Sequence, residues 1–265
     1  MSISIQVEHV TKQFTMQYHR TLKQMAVARV KGLPLQEKFL AVNDVSFTVE
    51  QGESVGLMGL NGSGKSTLLK VLNGVMRPDK GTVLTRGRIA GLIATGAGFQ
   101  PQLTGRENLF LNGAILGMNQ AETRRKFDEI VDFAGLGKFL DTPVSHYSSG
   151  MYARLGFSIA VHVDADIFLA DEVLAVGDRP FKKKCMEKMQ QIRLEGTTIF
   201  YVSHAAASVK AMCDRVLVLE SGHLNYDSKV VEGGSVEGGI RYLHYDDDDE
   251  EHQGEDMDEE LGADV

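Results

Sequence analysis

Short apolar runs alternate along this 265-residue chain with longer segments whose apolar positions recur every three or four residues. Such short runs predict buried β-strands, and the longer segments predict amphipathic helices. Strands are predicted at residues 3–10 with a continuation to Phe14, and at 44–49, 54–58, 82–84, 167–170, 197–202 and 215–219. Helices are predicted at 68–72, 151–163, 181–194 and 205–212. This alternation indicates an α/β fold around a mainly parallel sheet.

Two segments interrupt the alternation. Residues 103 to about 147 are largely helical and, with the next helix, predict an inserted helical subdomain spanning about 103–162. The segment 16–39 has a basic helical pattern that breaks at Gly32 and Pro34. A basic amphipathic helix packs against a membrane or a membrane-embedded partner, or it lies in solvent. We expect the first arrangement, and the sequence leaves the second open.

The chain gives a weaker signal after the turn at Ser221 and Gly222. Four glycines in this part argue against a helix, so we predict one domain of residues 1–225, a C-terminal extension of 226–244 and an acidic disordered tail of 245–265. The tail holds 12 acidic residues and no Lys or Arg. Without it, the formal net charge of −8 becomes +4, which is too small to indicate a nucleic-acid partner.

The cysteine content and the hydropathy restrict the cellular setting. Cys185 and Cys213 lie far apart without metal-like spacing, which is typical of buried thiols in a reducing compartment. No run approaches the roughly 20 apolar residues that span a bilayer. Any membrane role is therefore expected to depend on a partner.

The stretch 59–67 carries the strongest chemical signal. It reads Gly-Leu-Asn-Gly-Ser-Gly-Lys-Ser-Thr between an apolar run and a helical run, the context that a phosphate-binding loop requires. Its glycines let successive backbone N–H groups face one anion at a helix amino end. Lys65 is expected to reach the β and γ phosphates of ATP, and Ser66 to bind Mg²⁺. The predicted ATP-binding residues of the loop are Gly59, Leu60, Asn61, Gly62, Ser63, Gly64, Lys65, Ser66 and Thr67.

A second acidic site complements the loop. Four apolar residues at 167–170 predict a buried strand that places Asp171 at its carboxyl end, where ligands bind in open α/β sheets. Asp171 is expected to hold Mg²⁺ directly or through water. Glu172 follows and is expected to polarise the attacking water as a general base.

With these motifs the chain resembles the nucleotide-binding subunits of ABC transporters. Gln100 matches the glutamine that links Mg²⁺ to the subdomain facing the membrane partner, and the Tyr-Ser-Ser-Gly-Met run at 147–151 resembles the signature, usually Leu-Ser-Gly-Gly-Gln. Asp178 matches the loop after the catalytic Glu, and His204 matches the switch histidine. Phe14 matches the aromatic that stacks on adenine, although its pattern alone equally fits a core aromatic at a strand end.

This resemblance implies a P-loop NTPase of ABC type, with an antiparallel β subdomain beside the parallel core. It implies ATP and Mg²⁺ as ligands, with Ser66, Gln100 and Asp171 around the metal and Glu172 and His204 as catalytic residues. It also implies a homodimer, in which the signature of one chain acts on the ATP of the other. The implied signature and dimer-loop residues are Ser148, Ser149, Gly150 and Asp178.

The departures from the common signature narrow the resemblance to exporters of lipid-linked cell-surface polysaccharides such as O-antigen, teichoic acid and galactan. The implied partners are a separate integral membrane permease in two copies and a lipid-linked glycan as cargo. The implied location is the cytoplasmic face of the cell membrane, reached through the permease. We expect no carbohydrate-binding domain in this chain. Two alternatives stay open: export of a drug or another lipid, and a soluble ABC ATPase acting on nucleic acid or ribosomes.

Overall fold

The computed structural model describes residues 2–17, 36–92, 98–171 and 177–243. The strands of this part are β1 (Ile3–Gln17), β2 (Gln36–Glu50), β3 (Ser54–Met58), β4 (Lys80–Thr85), β5 (Ile89–Leu92), β6 (Ile167–Ala170), β7 (Thr198–Val202), β8 (Arg215–Glu220) and β9 (His223–Asp227). Its α-helices are α1 (Lys65–Leu72), α2 (Gly105–Ile115), α3 (Gln120–Ala134), α4 (Ser149–Ala160), α5 (Arg179–Leu194), α6 (Ala206–Met212) and α7 (Val236–Tyr242). Two short 3₁₀ turns, Gly137–Phe139 and Val144–His146, precede α4.

A six-stranded sheet in the order β5-β6-β7-β3-β8-β9 forms the centre of the protein. Neighbouring strands in it are parallel except for the last pair, β8 and β9. Every residue of β3, β6 and β7 is buried, because strands covered on both faces need apolar side chains throughout. The prediction of a mainly parallel core is confirmed. The carboxyl ends of β6, β7 and β3 lie side by side at one edge.

A separate antiparallel sheet in the order β2-β1-β4 covers one face of the centre. Its inner side chains share a buried cluster with α1 and with β3, β6 and β7. Phe47 of β2 stacks on Phe200 of β7, with ring centroids 5.8 Å apart. The predicted antiparallel subdomain is confirmed.

The hairpin of β1 and β2 differs from the sequence prediction for residues 16–39. Met16 pairs with Glu37, and Phe14 pairs with Phe39, in an antiparallel ladder. Both ends of the segment 16–39 are therefore strand, because the ladder takes up their backbone hydrogen-bonding groups. The middle of the predicted helix, with its apolar positions Leu22 to Val30, lies outside the described residues.

Helices α2, α3 and α4 lie between β5 and β6 in the chain and form the predicted inserted subdomain. Helix α2 begins with a capping box, because the Thr104 hydroxyl accepts from the Glu107 amide and the Glu107 carboxylate accepts from the Thr104 amide. Helix α4 packs against α2, α3 and β5. Through α4 the subdomain joins the buried cluster on the other face of the central sheet.

The chain after Gly222 forms a strand, β9, and a helix, α7. The glycine content of this part argued against a helix. Strand β9 extends to Asp227, so the predicted domain boundary at residue 225 falls inside a strand. Ser235 caps α7 by accepting from the Gly238 amide at 3.0 Å. A Cβ on Gly239 would lie 2.2 Å from Cγ1 of Val216, so this glycine permits α7 to pack directly on β8. Helix α7 therefore belongs to the main domain.

Both cysteines are free and buried, as predicted. Burial raises the pKa of the Cys185 thiol and of the Cys213 thiol to about 12, so both stay protonated and unreactive at neutral pH. Among the residues that the structure describes, no helix is long and apolar enough to cross a membrane. The predicted acidic tail lies outside these residues.

Candidate active site

The loop from Gly59 to Gly64 connects the carboxyl end of β3 to the amino end of α1. Gly59 has a φ of 151° and Gly64 a φ of 107°, conformations that other residues rarely adopt. A Cβ on Gly64 would lie 2.0 Å from the carbonyl oxygen of Ala41, and one on Gly59 would lie 2.1 Å from that of Leu219. The loop is therefore pressed between β2 and β8, and its path excludes side chains at both glycines.

Lys65 is held inside this loop. Its Nζ donates to the carbonyl of Gly59 at 2.6 Å and to that of Leu60 at 3.0 Å, and the residue is only 7% exposed. The loop thus curves around its own lysine, as the predicted phosphate site requires. The Ser63 hydroxyl is buried with no hydrogen-bond partner in the described structure, and a phosphate oxygen is a group that would satisfy such an orphaned donor.

Three strand ends bring the other predicted residues to the same edge. Asp171 follows β6 and His204 follows β7, and β7 lies between β6 and the loop strand β3. Two interstrand spacings put the strand of Asp171 about 10 Å from β3, which leaves room for an ion and phosphate oxygens. Ser203, next to His204, is buried, and its hydroxyl accepts from the Ala205 amide at 3.0 Å.

The donor atoms predicted for the metal suit magnesium. Ser66 carries a hydroxyl and Asp171 a carboxylate at this edge, and Mg²⁺ prefers oxygen ligands of this kind; the Gln100 amide oxygen as a third ligand stays a prediction. The Ser66 and Gln100 side chains are exposed and Asp171 is half-buried, so solvent can complete the coordination. Glu172 lies outside the described residues, and its role as general base stays a prediction.

Asn108 is a site residue that the sequence reasoning missed. Its side chain is fully buried and accepts from the Gln100 amide at 2.7 Å. Its Nδ2 lies 3.0 Å from each of the carbonyl oxygens of Gln100, Leu103 and Thr104. Asn108 therefore fixes the backbone of Gln100 to the first turn of α2. The available signal was an asparagine in the first helical turn after a capping threonine, where a polar side chain can serve backbone groups.

The predicted signature lies at the amino end of α4. The helix begins at Ser149, with Ser148 as its cap, two residues before the predicted start at residue 151. The Ser148 hydroxyl accepts from the Met151 amide at 3.2 Å, and both serines are exposed. A Cβ on Gly150 would meet only the Ser148 hydroxyl, at 3.9 Å. The fold of this chain therefore does not require glycine there, which fits close approach by a group from outside.

Tyr147 explains one departure from the common signature. Its hydroxyl donates to the carbonyl of Phe139 at 2.8 Å. A Cβ on Gly105 would lie 2.1 Å from that hydroxyl. Tyr147 and Gly105 thus fit together inside the helical subdomain, and burial raises the pKa of the Tyr147 hydroxyl. This part of the motif serves packing.

Arg154 connects the signature helix to the predicted dimer loop and was also missed. Its guanidinium lies 3.8 Å from the Asp178 carboxylate and 4.7 Å from the ring centre of Phe181. Its Nε donates to the carbonyl of Ala134 at 3.1 Å, at the end of α3. One side chain therefore joins α3, α4 and the start of α5. Residues 172–176, the first part of the dimer loop, lie outside the described residues.

Phe14 lies on β1 and is half-buried. It belongs to neither buried cluster of the described residues, so the alternative of a core aromatic does not fit. Its ring stacks on Phe39 of β2. Phe14 is therefore a half-buried aromatic outside the described core, and its stacking on adenine stays a prediction.

Comparison with known proteins agrees with this geometry. The ABC transporter family profile matches residues 42–175. The O-antigen export system ATP-binding protein RfbB of Klebsiella pneumoniae is 44% identical over 224 residues, which are 83% of this chain and 91% of that protein. The teichoic acids export ATP-binding protein TagH of Bacillus anthracis is 44% identical over 84% of this chain, but the match covers only 40% of that longer protein.

Solved structures support the fold. A dimeric ATP-binding cassette in a post-hydrolysis state, bound to ADP and Pi, superposes with a TM-score of 0.68. The superposition covers 86% of this chain and 99% of the cassette, at 22% sequence identity. An ATP-binding subunit of an ABC transporter gives a TM-score of 0.70 over 91% of this chain, also at 22% identity. At this identity the likeness establishes the arrangement of elements.

Proposed function

The chain belongs to the family of ABC transporter ATP-binding subunits, and from this premise we propose that it hydrolyses ATP to drive export of a lipid-linked cell-surface polysaccharide. The observation that carries the ATPase part is the loop from Gly59 to Gly64, which encloses the Lys65 ammonium at the carboxyl edge of the central sheet. The observation that carries the cargo is the 44% identity to relatives named for O-antigen and teichoic acid export.

In the proposed reaction the loop binds the phosphate chain of ATP. Backbone N–H groups of the loop and the amino end of α1 face the phosphates, and Lys65 neutralises the charge on the β and γ groups. Ser66, Asp171 and Gln100 would hold Mg²⁺, which supplies charge neutralisation of the phosphate oxygens when bound. Glu172 accepts a proton from the attacking water. The water oxygen bonds to the γ phosphorus as the bond from that phosphorus to the bridging oxygen breaks, and ADP and inorganic phosphate leave.

Two chains complete each site in this proposal. The exposed amino end of α4 presents Ser148, Ser149 and the open backbone of Gly150, and a helix amino end favours a phosphate. Because these residues belong to the inserted subdomain, we infer that they contact the ATP bound at the Lys65 loop of a second copy. Asp178, bound to Arg154, lies beside the same surface. His204 would contact the γ phosphate from the end of β7.

The proposed partner is a separate integral membrane permease, and this chain would lie at the cytoplasmic face of the membrane through it, with two copies of each subunit. Gln100 transmits the state of the nucleotide, because Asn108 ties its backbone to α2 of the inserted subdomain. Movement of this subdomain would then transmit the nucleotide state to the permease. The lipid-linked glycan is the cargo and does not enter the ATP site.

The test is the ATPase rate of the chain co-expressed with a candidate permease and reconstituted in lipid, measured as lipid-linked glycans are added. We expect one glycan to stimulate hydrolysis. Glu172→Gln should retain ATP binding and lose the stimulated rate by about 10²-fold or more. Glu232→Gln is the matched control, since Glu232 is exposed in the loop before α7, and it should keep the full rate.

The two parts of the proposal fail separately. A rate that no glycan changes, in a stable complex with the permease, would reject polysaccharide export and leave the ATPase assignment standing. Full hydrolysis in Glu172→Gln would reject Glu172 as the general base. Stimulation by a drug in place of any glycan would reassign the cargo.

A further inference from the structure

The first turn of α5 is anchored in the inserted subdomain. Phe181 is buried, and its ring lies edge-on to two aromatic rings of that subdomain. Its centroid is 5.7 Å from that of Phe133 on α3 and 6.1 Å from that of Phe157 on α4, the spacing of favourable aromatic pairs. A Cβ on Gly177 would lie 3.0 Å from Cδ1 of Phe181. The described end of the dimer loop, residues 177–178, therefore rests on the inserted subdomain.

Two cations with closely matched contacts lie on this aromatic cluster. The Arg154 Nε donates to the Ala134 carbonyl at 3.1 Å, and the guanidinium lies 4.7 Å from the centre of the Phe181 ring. The Lys184 Nζ donates to the Phe133 carbonyl at 3.1 Å and lies 4.4 Å from the centre of that residue's ring. Each side chain thus satisfies a carbonyl at the end of α3 and attracts a ring face.

Of these two cations, Arg154 is the one with a described contact to the dimer loop. Its guanidinium lies 3.8 Å from the Asp178 carboxylate, and the two side chains are 30% and 61% exposed, so the pair contributes little to folding. Asp178 stands at the cap position of α5, but its side chain makes no capping hydrogen bond in the described structure. A Cβ on Gly135 would lie 2.9 Å from Nη2 of Arg154. Groups outside the dimer loop therefore fix the guanidinium that faces Asp178.

We propose that Arg154 is a positioning residue for ATP hydrolysis, which acts through Asp178 and fixes the dimer loop to the signature helix α4. This inference rests on the proposed ATPase function. Ser149 and Arg154 lie on the same helix, so the signature offered to a second copy and the end of the dimer loop move together. Without the guanidinium the loop that follows Glu172 loses its fixed place. Binding of ATP at the Lys65 loop does not depend on this contact.

The test measures kcat, KM and the equilibrium affinity for ATP in the full chain. Arg154→Met removes the charge and should lower kcat by about 10- to 100-fold through misplacement of the loop, with KM and ATP affinity unchanged. Arg154→Lys retains the charge without the planar guanidinium and should recover part of the rate. Asp178→Asn should lower kcat similarly. The double variant with Arg154→Met should be no slower than the slower single variant, because both changes break one contact.

Lys184→Met is the matched control, because it removes a carbonyl contact and a ring contact of the same kind at the same end of α3. It should lower the denaturant midpoint of unfolding about as much as Arg154→Met does and keep the full kcat. An equal loss of kcat in Lys184→Met would overturn the proposal, since the effect would then come from the packing of the subdomain. Losses that multiply in the double variant would also overturn it.

Asp178→Asn keeps the proposal testable if Arg154→Met does not fold, because the Asp178 side chain is mostly exposed. Full kcat in Asp178→Asn would overturn the positioning role and leave the ATPase assignment standing. Absence of hydrolysis by the unaltered chain, alone and with a co-expressed permease, would overturn the proposed function and this inference with it.

Discussion

The two edges of the central sheet differ in how their polar groups are arranged. At the amino end of β8, Arg215 is enclosed by Asp227 and Glu53, and the three side chains are 6%, 9% and 14% exposed. At the carboxyl end of β3, the glycine loop and the exposed Ser66 face outward. Both edges concentrate polar groups. At one edge those groups satisfy each other, and at the other they are arranged for a ligand.

The enclosed edge shows how a buried charge is stabilised. Arg215 donates from Nε to Asp227 at 2.8 Å and from one terminal nitrogen to the Thr48 carbonyl at 2.7 Å. Burial opposes its charge, but the carboxylates of Asp227 and Glu53 outweigh it and raise the pKa of Arg215 above its usual value. This charge is therefore permanent. Polar residues alone thus do not identify a functional site; at the open edge the additional observation is the buried Ser63 hydroxyl, which has no partner in the described structure.

The largest expected effect is on catalysis at the open edge. Lys65→Ala should lower ATP hydrolysis by about 10³-fold, because phosphoryl transfer depends on charge stabilisation by this group. The melting temperature should change by only a few degrees. Lys70→Ala on the exposed side of the same helix is the control and should keep the rate. Circular dichroism would report any loss of folding in Lys65→Ala. Such a loss would contradict the view that the open edge serves the ligand and the enclosed edge serves stability.

The next effect is on stability at the enclosed edge. Arg215→Met should reduce the free energy of unfolding by about 3–5 kcal/mol, because it leaves buried carboxylates unpaired. Arg193→Met removes an ion pair with Asp214 whose side chains are 32% and 58% exposed, and should cost under about 1 kcal/mol. Denaturant titration measures both. Equal costs would show that burial does not distinguish the two arginines.

Alanine substitution at two glycines should change the free energy of unfolding in opposite directions. Gly239→Ala forces a Cβ against Val216 and should lower the free energy of unfolding by about 1–3 kcal/mol, with hydrolysis per folded molecule unchanged. A Cβ on Gly150 has open space in its own chain, so Gly150→Ala should raise the free energy of unfolding by about 0.5 kcal/mol. The same substitution should reduce ATP hydrolysis by the dimer. Denaturant titration and ATPase assays on the same preparations test both. Normal hydrolysis in Gly150→Ala would remove the argument for contact in trans.

The smallest expected effect is a loss of local stability around Asp79 at acidic pH. The Gln13 amide and the Lys12 ammonium lower the pKa of Asp79 in the folded chain. A lowered folded pKa stabilises the fold above the unfolded pKa of about 3.9, and this stabilisation is lost as pH falls through the folded value. The protection factor of the Gln13 amide, the observed exchange rate compared with the intrinsic rate at the same pH, should therefore fall below about pH 4, before that of Val216. Asp79→Asn should abolish this pH dependence, and a persistent dependence would exclude Asp79 as its source.

The sequence predicted best where local pattern and burial agree. The four apolar residues at 167–170 form β6 with the predicted bounds, because a strand buried on both faces needs no alternation. The motif at 59–67 also lies between a strand and a helix as predicted. In both cases the residue types themselves determine the local conformation.

The prediction was wrong where tertiary contacts determine the local backbone structure. Glycine at 239 indicated a helix breaker, but the close approach of Val216 makes it a packing requirement. The predicted basic helical segment was extended to residue 39, yet pairing with β1 makes residues 36–39 strand. The position of Asn108 after a capping threonine was the available signal, but its partners could not be predicted, because they are backbone carbonyls whose positions follow only from the folded loop.

Asn108 also limits how the site can signal. Its side chain ties the backbone at Gln100, Leu103 and Thr104 together by hydrogen bonds with donor–acceptor distances of 2.7–3.0 Å, so this irregular loop and the first turn of α2 behave as one rigid lever. A displacement at Gln100 cannot be absorbed within the loop and must reappear as motion of the helix. A hinge for that motion is therefore expected outside residues 100–108, and substitutions there should change how nucleotide binding and helix movement are coupled.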